Sequence, residues 1–162
     1  MADTAASDEE AVLENKIAEY DAFLTKQDPA FTVEELEEAM QKVMDQYAGG
    51  IGTHYQFNEK QLAMAEEKIK KLQILAKGLA AADMHELMFI YELKERLTVC
   101  LTVIAHLRAR KETRWHSFAE NLDYPEKSDA WLCYVNSKKN GDQITMIRRD
   151  LVKGGETYEH RD

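Results

Sequence analysis

The sequence predicts a mainly α-helical domain, a three- to four-helix antiparallel bundle followed by a small C-terminal β-hairpin. Apolar residues recur at helical spacing as far as residue 114, and beyond it the pattern changes to strand-like alternation. The chain has 162 residues, of which 44% are hydrophobic and 31% charged, as in globular domains. We expect an N-terminal amphipathic helix or arm (1–29), a helical bundle (30–114), a turn with a β-hairpin (115–153) and a polar, mobile tail (154–162).

The first two predicted helices each begin at a capping box. Ser7 with Glu10 opens the first, and Thr32 with Glu35 opens the second. Asp28-Pro29 ends the first helix, since proline disfavours helical backbone in the residue before it. Each helix has one apolar stripe, formed in the first by Leu13, Ile17, Tyr20 and Leu24 and in the second by Leu36, Met40, Val43 and Tyr47.

Two further helices follow the glycine pair at 49–50. Asn58 with Gln61 caps the third, whose apolar residues follow a near-heptad spacing, Leu62, Ala65, Ile69, Leu72, Ala76 and Leu79. Asp83 with Glu86 caps the fourth and longest helix. Its apolar residues fall on more than one side, which is typical of a central helix. The side with most of them carries Leu87, Ile90, Leu97, Leu101 and Ile104.

Strand signals replace helical ones after residue 114. Asp123-Tyr124-Pro125 breaks any helix. Residues 131–135 are rich in aromatic and branched side chains, and residues 143–147 alternate polar with apolar. Asn140-Gly141 between them is a strong hairpin signal. The sequence therefore predicts two antiparallel strands near the C-terminus.

Composition and motifs exclude several classes of function. The formal net charge of −9 argues against nucleic-acid binding, and no apolar run is long enough for insertion into a membrane. No glycine-rich phosphate loop follows a strand, the five histidines lack paired metal-ligand spacing, and the two cysteines have no basic partner. We therefore expect no catalytic, metal or cofactor-binding residue in this chain. The N-terminus lacks a signal-peptide pattern, which favours a cytoplasmic location.

The segment after the fourth helix combines charged and aromatic residues more densely than a helix cap requires. Arginine and tryptophan contribute strongly to protein–protein binding. Residues 110–116 and Tyr124 can therefore form a docking surface. The alternative interpretation is a helix cap with an aromatic lid over the bundle.

Three stretches of this region resemble a known family: residues 110–115 (RKETRW), the DYP turn at 123–125, and residues 131–137 (WLCYVNS). They are similar to the C-terminal helical domain of the adenylylsulfate reductase alpha subunit and of the fumarate reductase–succinate dehydrogenase flavoproteins. Residues 44–50 and 58–62 resemble the adenylylsulfate reductase version, so the resemblance covers about residues 30–150. The chain departs from fumarate reductases at Asn121, where they typically have arginine.

The resemblance implies a non-catalytic domain, or a split subunit, of an FAD-dependent oxidoreductase. In that family FAD is bound by a separate domain, so the expected partners are a flavin-binding domain or subunit and an iron–sulfur electron-transfer subunit. The chain would be part of an enzyme without being catalytic alone. The resemblance also favours the docking surface and implies that its interface residues are Arg110, Glu112, Arg114, Trp115, His116, Tyr124 and Trp131. The alternative is a stand-alone helical interaction or scaffold protein that forms a homodimer through its first helix.

Overall fold

In this computed structural model, the described residues form four α-helices, two short 3₁₀ helices and four strands. The structure describes residues 2–141 and 143–152, with side chains from residue 9 onward. The helices are α1 (Ala2–Leu24), α2 (Val33–Tyr47), α3 (Glu59–Ala76) and α4 (Met84–Ala109). The strands are β1 (Gln56–Phe57), β2 (Glu120–Asn121), β3 (Cys133–Asn140) and β4 (Gln143–Asp150). The predicted fold class is confirmed, while the predicted tail at 154–162 lies outside the described residues.

The described residues form two compact units. The first unit comprises residues up to 41 together with 69–98, and the second comprises residues 42–68 together with those from 99 onward. The core of the first unit is aliphatic and includes Leu36, Ile69, Leu79, Ile90, Leu93 and Leu97. The core of the second unit includes Phe57, Leu62, Ala65 and Ile104.

Three predicted helix caps are present. Glu35 N–H donates to Thr32 Oγ1 over 3.2 Å, and Thr32 N–H donates to Glu35 Oε2 over 2.9 Å. Asn58 Oδ1 accepts from the N–H of Gln61 over 2.9 Å. Asp83 Oδ1 accepts from the N–H groups of His85 and Glu86 over 2.8 and 2.9 Å. These bonds satisfy amide groups that have no partner within the helix, which places the start of α2, α3 and α4 where the sequence predicts.

The predicted apolar stripe of the third helix is buried along its whole length, although α3 ends at Ala76 and Leu79 follows it. Its members are all no more than 7% exposed, Leu62, Ala65, Ile69, Leu72, Ala76 and Leu79. Each large aliphatic side chain removed from water contributes about 1.5–3 kcal/mol. Helix α4 buries Leu87, Ile90 and Leu97, but it exposes Met88 and Val99. Helix α4 therefore has apolar residues on several sides, but not every one of these sides is buried.

Helix α1 differs from its prediction in start and in orientation. It begins at Ala2, so the predicted start at Ser7 is wrong. Within the first unit its buried residue is Phe23, whose ring makes an edge contact with Tyr91, while Leu13 and Ile17 of the predicted stripe are exposed. The N–H of Ala81 donates to the Phe23 carbonyl over 3.0 Å. The C-terminal part of α1 is thus anchored, and its earlier apolar residues face solvent.

Two small sheets lie in the second unit. Strands β1 and β2 are parallel, with Gln56 opposite Glu120. Strands β3 and β4 form the predicted antiparallel hairpin and run in continuous register from Cys133 opposite Asp150 to Asn140 opposite Gln143. Gly141 in the turn has φ +60°, a conformation that glycine adopts without strain. Among the described helices, none combines the length and apolar character needed to span a membrane.

Candidate docking surface

One buried carboxylate, that of Glu112, ties the chain after α4 to the segment before β3. Arg110 Nη1 donates to Glu112 Oε1 over 2.6 Å, and Arg114 donates to both oxygens of Glu112, each over 2.9 Å. The N–H of Ser128 donates to Oε2 over 2.9 Å. The Glu112 side chain is 0% exposed. We call Arg110, Glu112, Arg114 and Ser128 the Glu112 clamp, and residues 115–127 between its ends the rim loop.

The electrostatics of the clamp keep its carboxylate ionised. The hydrogen bond from Arg114 lowers the pKa of Glu112 to about 2, helped by Ser128 and Arg110 and opposed by burial. Removing one partner of such a buried ionic group costs about 3–5 kcal/mol, because the other charge is left uncompensated. The clamp therefore fixes both ends of the rim loop.

The arginines of the clamp also bind backbone carbonyl groups. Arg110 donates to the carbonyls of Trp131 and Cys133 over 2.9 and 3.0 Å. Two guanidinium groups approach the Trp131 ring: Cζ of Arg110 lies 5.9 Å and Cζ of Arg148 4.3 Å from its centroid. The start of the hairpin is thus held to the clamp by hydrogen bonds and cation–π contacts.

Thr113 organises the interior of the rim loop. It is fully buried, and its hydroxyl donates to the carbonyl of Tyr124 over 2.9 Å and accepts from the N–H of Asn121 over 2.9 Å. Asn121 is also buried, and its Oδ1 accepts from the N–H of Asp123 over 3.0 Å. An asparagine at 121 therefore has a local structural role, closing the turn that precedes Pro125.

The rim loop is further joined to the start of α3. The N–H of Leu122 donates to the Phe57 carbonyl over 2.8 Å, in the β1–β2 pairing. Asp123 Oδ2 accepts from the N–H of Glu59 over 2.7 Å, so the aspartate of the DYP turn caps α3. Glu59 in turn pairs with Arg108 near the end of α4. These contacts hold the rim loop along its length as well as at its ends.

The rim loop exposes several large apolar side chains. Trp115 is 67% and Phe118 72% exposed, and Leu122 and Tyr124 are also exposed. Tyr55, on the turn before β1, contacts Phe118 with ring centroids 6.4 Å apart. We call Tyr55, Trp115, Phe118, Leu122 and Tyr124 the apolar rim. Large apolar side chains that are exposed together on a well-anchored loop are typical of a protein interaction site.

A cavity of about 230 Å³ lies beside the apolar rim. Its walls include the aromatic rings of Phe57 and Trp115, the aliphatic side chain of Val135, and the basic side chains of His106 and Arg110. A pocket with apolar walls and a few polar groups is suited to receiving one inserted side chain of a partner.

The structure divides the seven residues of the predicted docking surface into three groups. Three belong to the Glu112 clamp (Arg110, Glu112 and Arg114), and Glu112 lies beneath the surface. Three others are exposed (Trp115, His116 and Tyr124), and Trp131 is half-buried against arginine. The clamp residues therefore hold the loop, whereas Trp115, His116 and Tyr124 face solvent.

The sequence reasoning missed Tyr55, Phe118 and Leu122. Phe118 and Leu122 stand three and seven positions after Trp115, an apolar spacing that could have identified them as companions of that residue. Tyr55 gave no such signal, because its neighbour Phe118 is far away in sequence.

The glycine pair at 49–50 is not shaped to hold the phosphates of a flavin dinucleotide. Such cofactors need glycines that leave room for phosphate. A Cβ at Gly50 would lie 2.3 Å from Cα of Asp45, and the N–H of Gly52 is already bonded to Asp45 Oδ1 over 2.9 Å. Asp45 thus fills the space at the glycine pair. Among the residues that the structure describes, no group of three His, Cys, Asp or Glu side chains is arranged to hold a metal.

A thiol reaction also finds no support at Cys100. The residue is half-buried, and burial raises the pKa of its thiol. The reactive form of cysteine is the thiolate, which a raised pKa disfavours.

Comparison with known proteins places the chain among flavoprotein domains. The family described as "Fumarate reductase flavoprotein C-term" matches residues 37–156. The adenylylsulfate reductase subunit alpha of Megalodesulfovibrio gigas is 34% identical over 98 residues, which are 60% of this chain and 15% of that protein.

Solved structures match nearly the whole chain. Adenylylsulfate reductase from Archaeoglobus fulgidus matches with a TM-score of 0.83 and 31% identity over 93% of this chain and 26% of that one. An adenosine-5-phosphosulfate reductase in complex with sulfite gives 0.80 and 32% over the same fractions. The E. coli quinol fumarate reductase FrdA shares the fold, with a TM-score of 0.73 and 19% identity over 96% of this chain and 26% of that one. The chain spans about a quarter of these relatives, and it belongs to the family of fumarate reductase flavoprotein C-terminal domains.

Proposed function

We propose that the chain serves as the non-catalytic C-terminal helical domain, or as a split subunit, of an adenylylsulfate-reductase-like FAD-dependent oxidoreductase. Its partners are then a flavin-binding domain or subunit, which holds the FAD, and an iron–sulfur electron-transfer subunit. Two findings support this proposal: the family match over residues 37–156, and relatives of which the chain spans about a quarter.

The observation that carries the proposal is the apolar rim. Burying an exposed tryptophan and an exposed phenylalanine against a partner removes large apolar areas from water, at about 25 cal/mol per Å². Aromatic residues of this kind dominate the binding energy of interfaces, especially beside a pocket that can accept a partner side chain. The flavin-binding part of the enzyme is the partner that we assign to this surface.

The Glu112 clamp contributes to binding indirectly. A loop that is already ordered before binding loses little conformational entropy on association, and affinity rises accordingly. Arg110, Glu112 and Arg114 are therefore proposed to act mainly by positioning the apolar rim, and they also line the pocket that accepts the partner side chain. Substituting them would weaken docking through loss of loop order.

Binding to a flavin domain tests the proposal directly. The probe is the flavin-binding part of the Megalodesulfovibrio gigas adenylylsulfate reductase alpha subunit, prepared without its own C-terminal region. Titration calorimetry with the full 162-residue chain is expected to give saturable binding. Trp115→Ala and Phe118→Ala each weaken it by about tenfold or more, the size of an interface hot spot.

The matched control is Ile74→Ala. Ile74 on α3 is 66% exposed, about as much as Trp115, but it lies outside the apolar rim. Its substitution is expected to change the affinity by less than about twofold, since isolated surface positions contribute little. Equal losses in all three variants, or no binding by the unmodified chain, would contradict the proposal.

A second candidate function rests on α1. Val12 and Leu13 are 69% and 61% exposed, and Ile17 one turn further on is also exposed. A helix that exposes several apolar residues can pair with a second copy, giving a homodimeric interaction or scaffold protein. Light scattering coupled to size exclusion would then give a dimer mass that Leu13→Glu reduces to a monomer, whereas Val99→Glu, at an exposed apolar position on α4, leaves the dimer intact.

A further inference from the structure

We propose that β4 is a strand acceptor: its open edge binds an extended acidic segment of another protein as a third strand of the β3–β4 sheet. Addition of a peptide strand to a free sheet edge is a general mode of recognition. The proposal concerns the hairpin alone and does not depend on the apolar rim or on a flavin-binding partner.

The register shows which backbone groups are free. Asn140 and Gln143 close a two-residue turn and so form a pair that exchanges hydrogen bonds. Pairs alternate along an antiparallel ladder, so the N–H and C=O groups of Ile144, Met146 and Arg148 point away from β3. The backbone groups of the residues directly opposite them on β3 also point outward. No hydrogen bond from the described part of the chain reaches these outward backbone groups of β4.

The two edges of the hairpin differ in chemistry. The edge of β3 is blocked at its start, because Arg110 donates to the outward carbonyl of Cys133 over 3.0 Å. Further on, β3 carries Lys138 and Lys139, and lysine on an edge strand discourages pairing. Residues 144–147 of β4 read Ile-Thr-Met-Ile, which favours strands and contains neither charge nor proline. The edge of β4 is therefore the one suited to a new strand.

The charge of the hairpin favours an acidic segment as the added strand. The hairpin at 133–150 has four basic residues and two acidic ones, in a chain whose net charge is −9. Arg148 contacts the carbonyl of Ala130 and the Trp131 ring. Both groups are neutral, so neither contact balances the positive charge of the guanidinium. Opposite charges in neighbouring strands contribute about 0.2–1 kcal/mol per pair. A carboxylate on the incoming strand beside Arg148 gains this interaction.

A second copy of this chain fits the edge less well. Antiparallel pairing of two β4 strands about Met146 would place each Arg148 opposite Ile144, without a carboxylate opposite the guanidinium. The register that sets Arg148 opposite Asp150 of the other copy pairs only residues 146–152 of the described chain, so the outward groups of Ile144 gain no ladder bond there. A strand that alternates apolar and acidic residues can bond the outward N–H and C=O groups of β4 and can also place a carboxylate beside Arg148. The occupant that we assign is therefore an extended segment of that composition in another protein.

Synthetic peptides of the length of β4, eight residues, test this. The probe alternates valine with glutamate and carries a fluorophore, and anisotropy measures its binding to the full chain. Saturable binding is expected. Two controls, a valine–lysine peptide and the acidic peptide with N-methyl groups on alternate amides, are expected to bind at least about tenfold more weakly, because they lose the charge match or the ladder bonds.

Two proline variants distinguish the edges. Met146→Pro removes an outward N–H from β4, and Ser137→Pro does so at the directly opposite position of β3. Proline is tolerated where an edge N–H faces solvent, so both hairpins should form. Met146→Pro is expected to weaken peptide binding at least about tenfold, and Ser137→Pro less than about twofold.

Hydrogen exchange on the unmodified chain gives the same information without a substitution. The bound acidic peptide should slow exchange at the amides of Ile144, Met146 and Arg148. Protection on β3 instead, no protection at all, or equal binding of the N-methylated peptide would overturn the proposal. A concentration-dependent dimer of the chain that Met146→Pro abolishes would overturn it as well, by making a second copy the occupant.

Discussion

Replacing Glu112 by glutamine removes a buried charge while keeping the shape of the side chain. Each carboxylate oxygen accepts two hydrogen bonds, from Arg110 and Arg114 at Oε1 and from Arg114 and Ser128 at Oε2. The amide nitrogen of glutamine can only donate, so at least two of these four bonds are lost and the guanidinium groups lose their counter-ion. The depressed pKa, about 2 against the ordinary 4.5, corresponds to about 3 kcal/mol by linkage. Breaking a buried ion pair costs about 3–5 kcal/mol, in agreement with that figure.

Tryptophan fluorescence during urea unfolding measures this loss where it occurs. The chain has two tryptophans, Trp115 and Trp131, and both lie in the second unit beside the clamp. With a urea dependence of about 2–3 kcal/mol per molar, Glu112→Gln is expected to lower the unfolding midpoint by about 1–2 M. The control is Glu126→Gln, at an exposed side chain of the rim loop, which should stay within about 0.5 kcal/mol. A midpoint for Glu112→Gln as high as that of the control would refute the role given to the clamp.

Three further predictions follow from the second unit. Because the pKa of Glu112 is lower in the folded than in the unfolded chain, the stabilisation that its carboxylate provides is complete above about pH 4.5 and is lost as the pH falls through 2. Urea unfolding followed by fluorescence across this pH range should show the decline in the unmodified chain and a flatter profile in Glu112→Gln. Asp123→Ala removes the cap on the N–H of Glu59 and should lower the free energy of unfolding by about 1 kcal/mol, measured by thermal unfolding; an unchanged midpoint would show that water replaces the cap. Gly50→Ala should destabilise by about 1–3 kcal/mol, since its Cβ would meet Asp45 Cα at 2.3 Å, and a variant as stable as the original would contradict that contact.

The helical framework could be predicted from the sequence because its signals are local. The 3-4 spacing from Leu62 to Leu79 allows one buried face, and all its members are buried. Capping residues such as Thr32 and Asp83 act on amides within three residues of themselves. Helix α1 was harder to predict, because its one apolar stripe leaves out Phe23, the residue that is buried and contacts Tyr91.

The candidate site depends on contacts that local sequence does not specify. Arg110, Glu112 and Arg114 alternate along the chain in a way that also suits a solvated segment. Glu112 becomes buried only because the chain returns at Ser128, and that return depends on the hydrogen bonds of Thr113 and Asn121. The sequence therefore indicated which region is special, while the division between positioning ions and exposed aromatic residues required the three-dimensional arrangement.

The Glu112 clamp also has a consequence for how this domain can change in evolution. Because residues 114 and 128 are joined through one carboxylate, the chain between them is a closed ring whose closure does not depend on what lies at its outermost point. Substitutions at Phe118, far from the closing bonds, can therefore alter which surface the ring recognises without loosening α4 or the hairpin. Related domains with new partners should accordingly differ most around residue 118, and least at the closing residues and at Asn121 and Asp123, whose hydrogen bonds hold the rim loop.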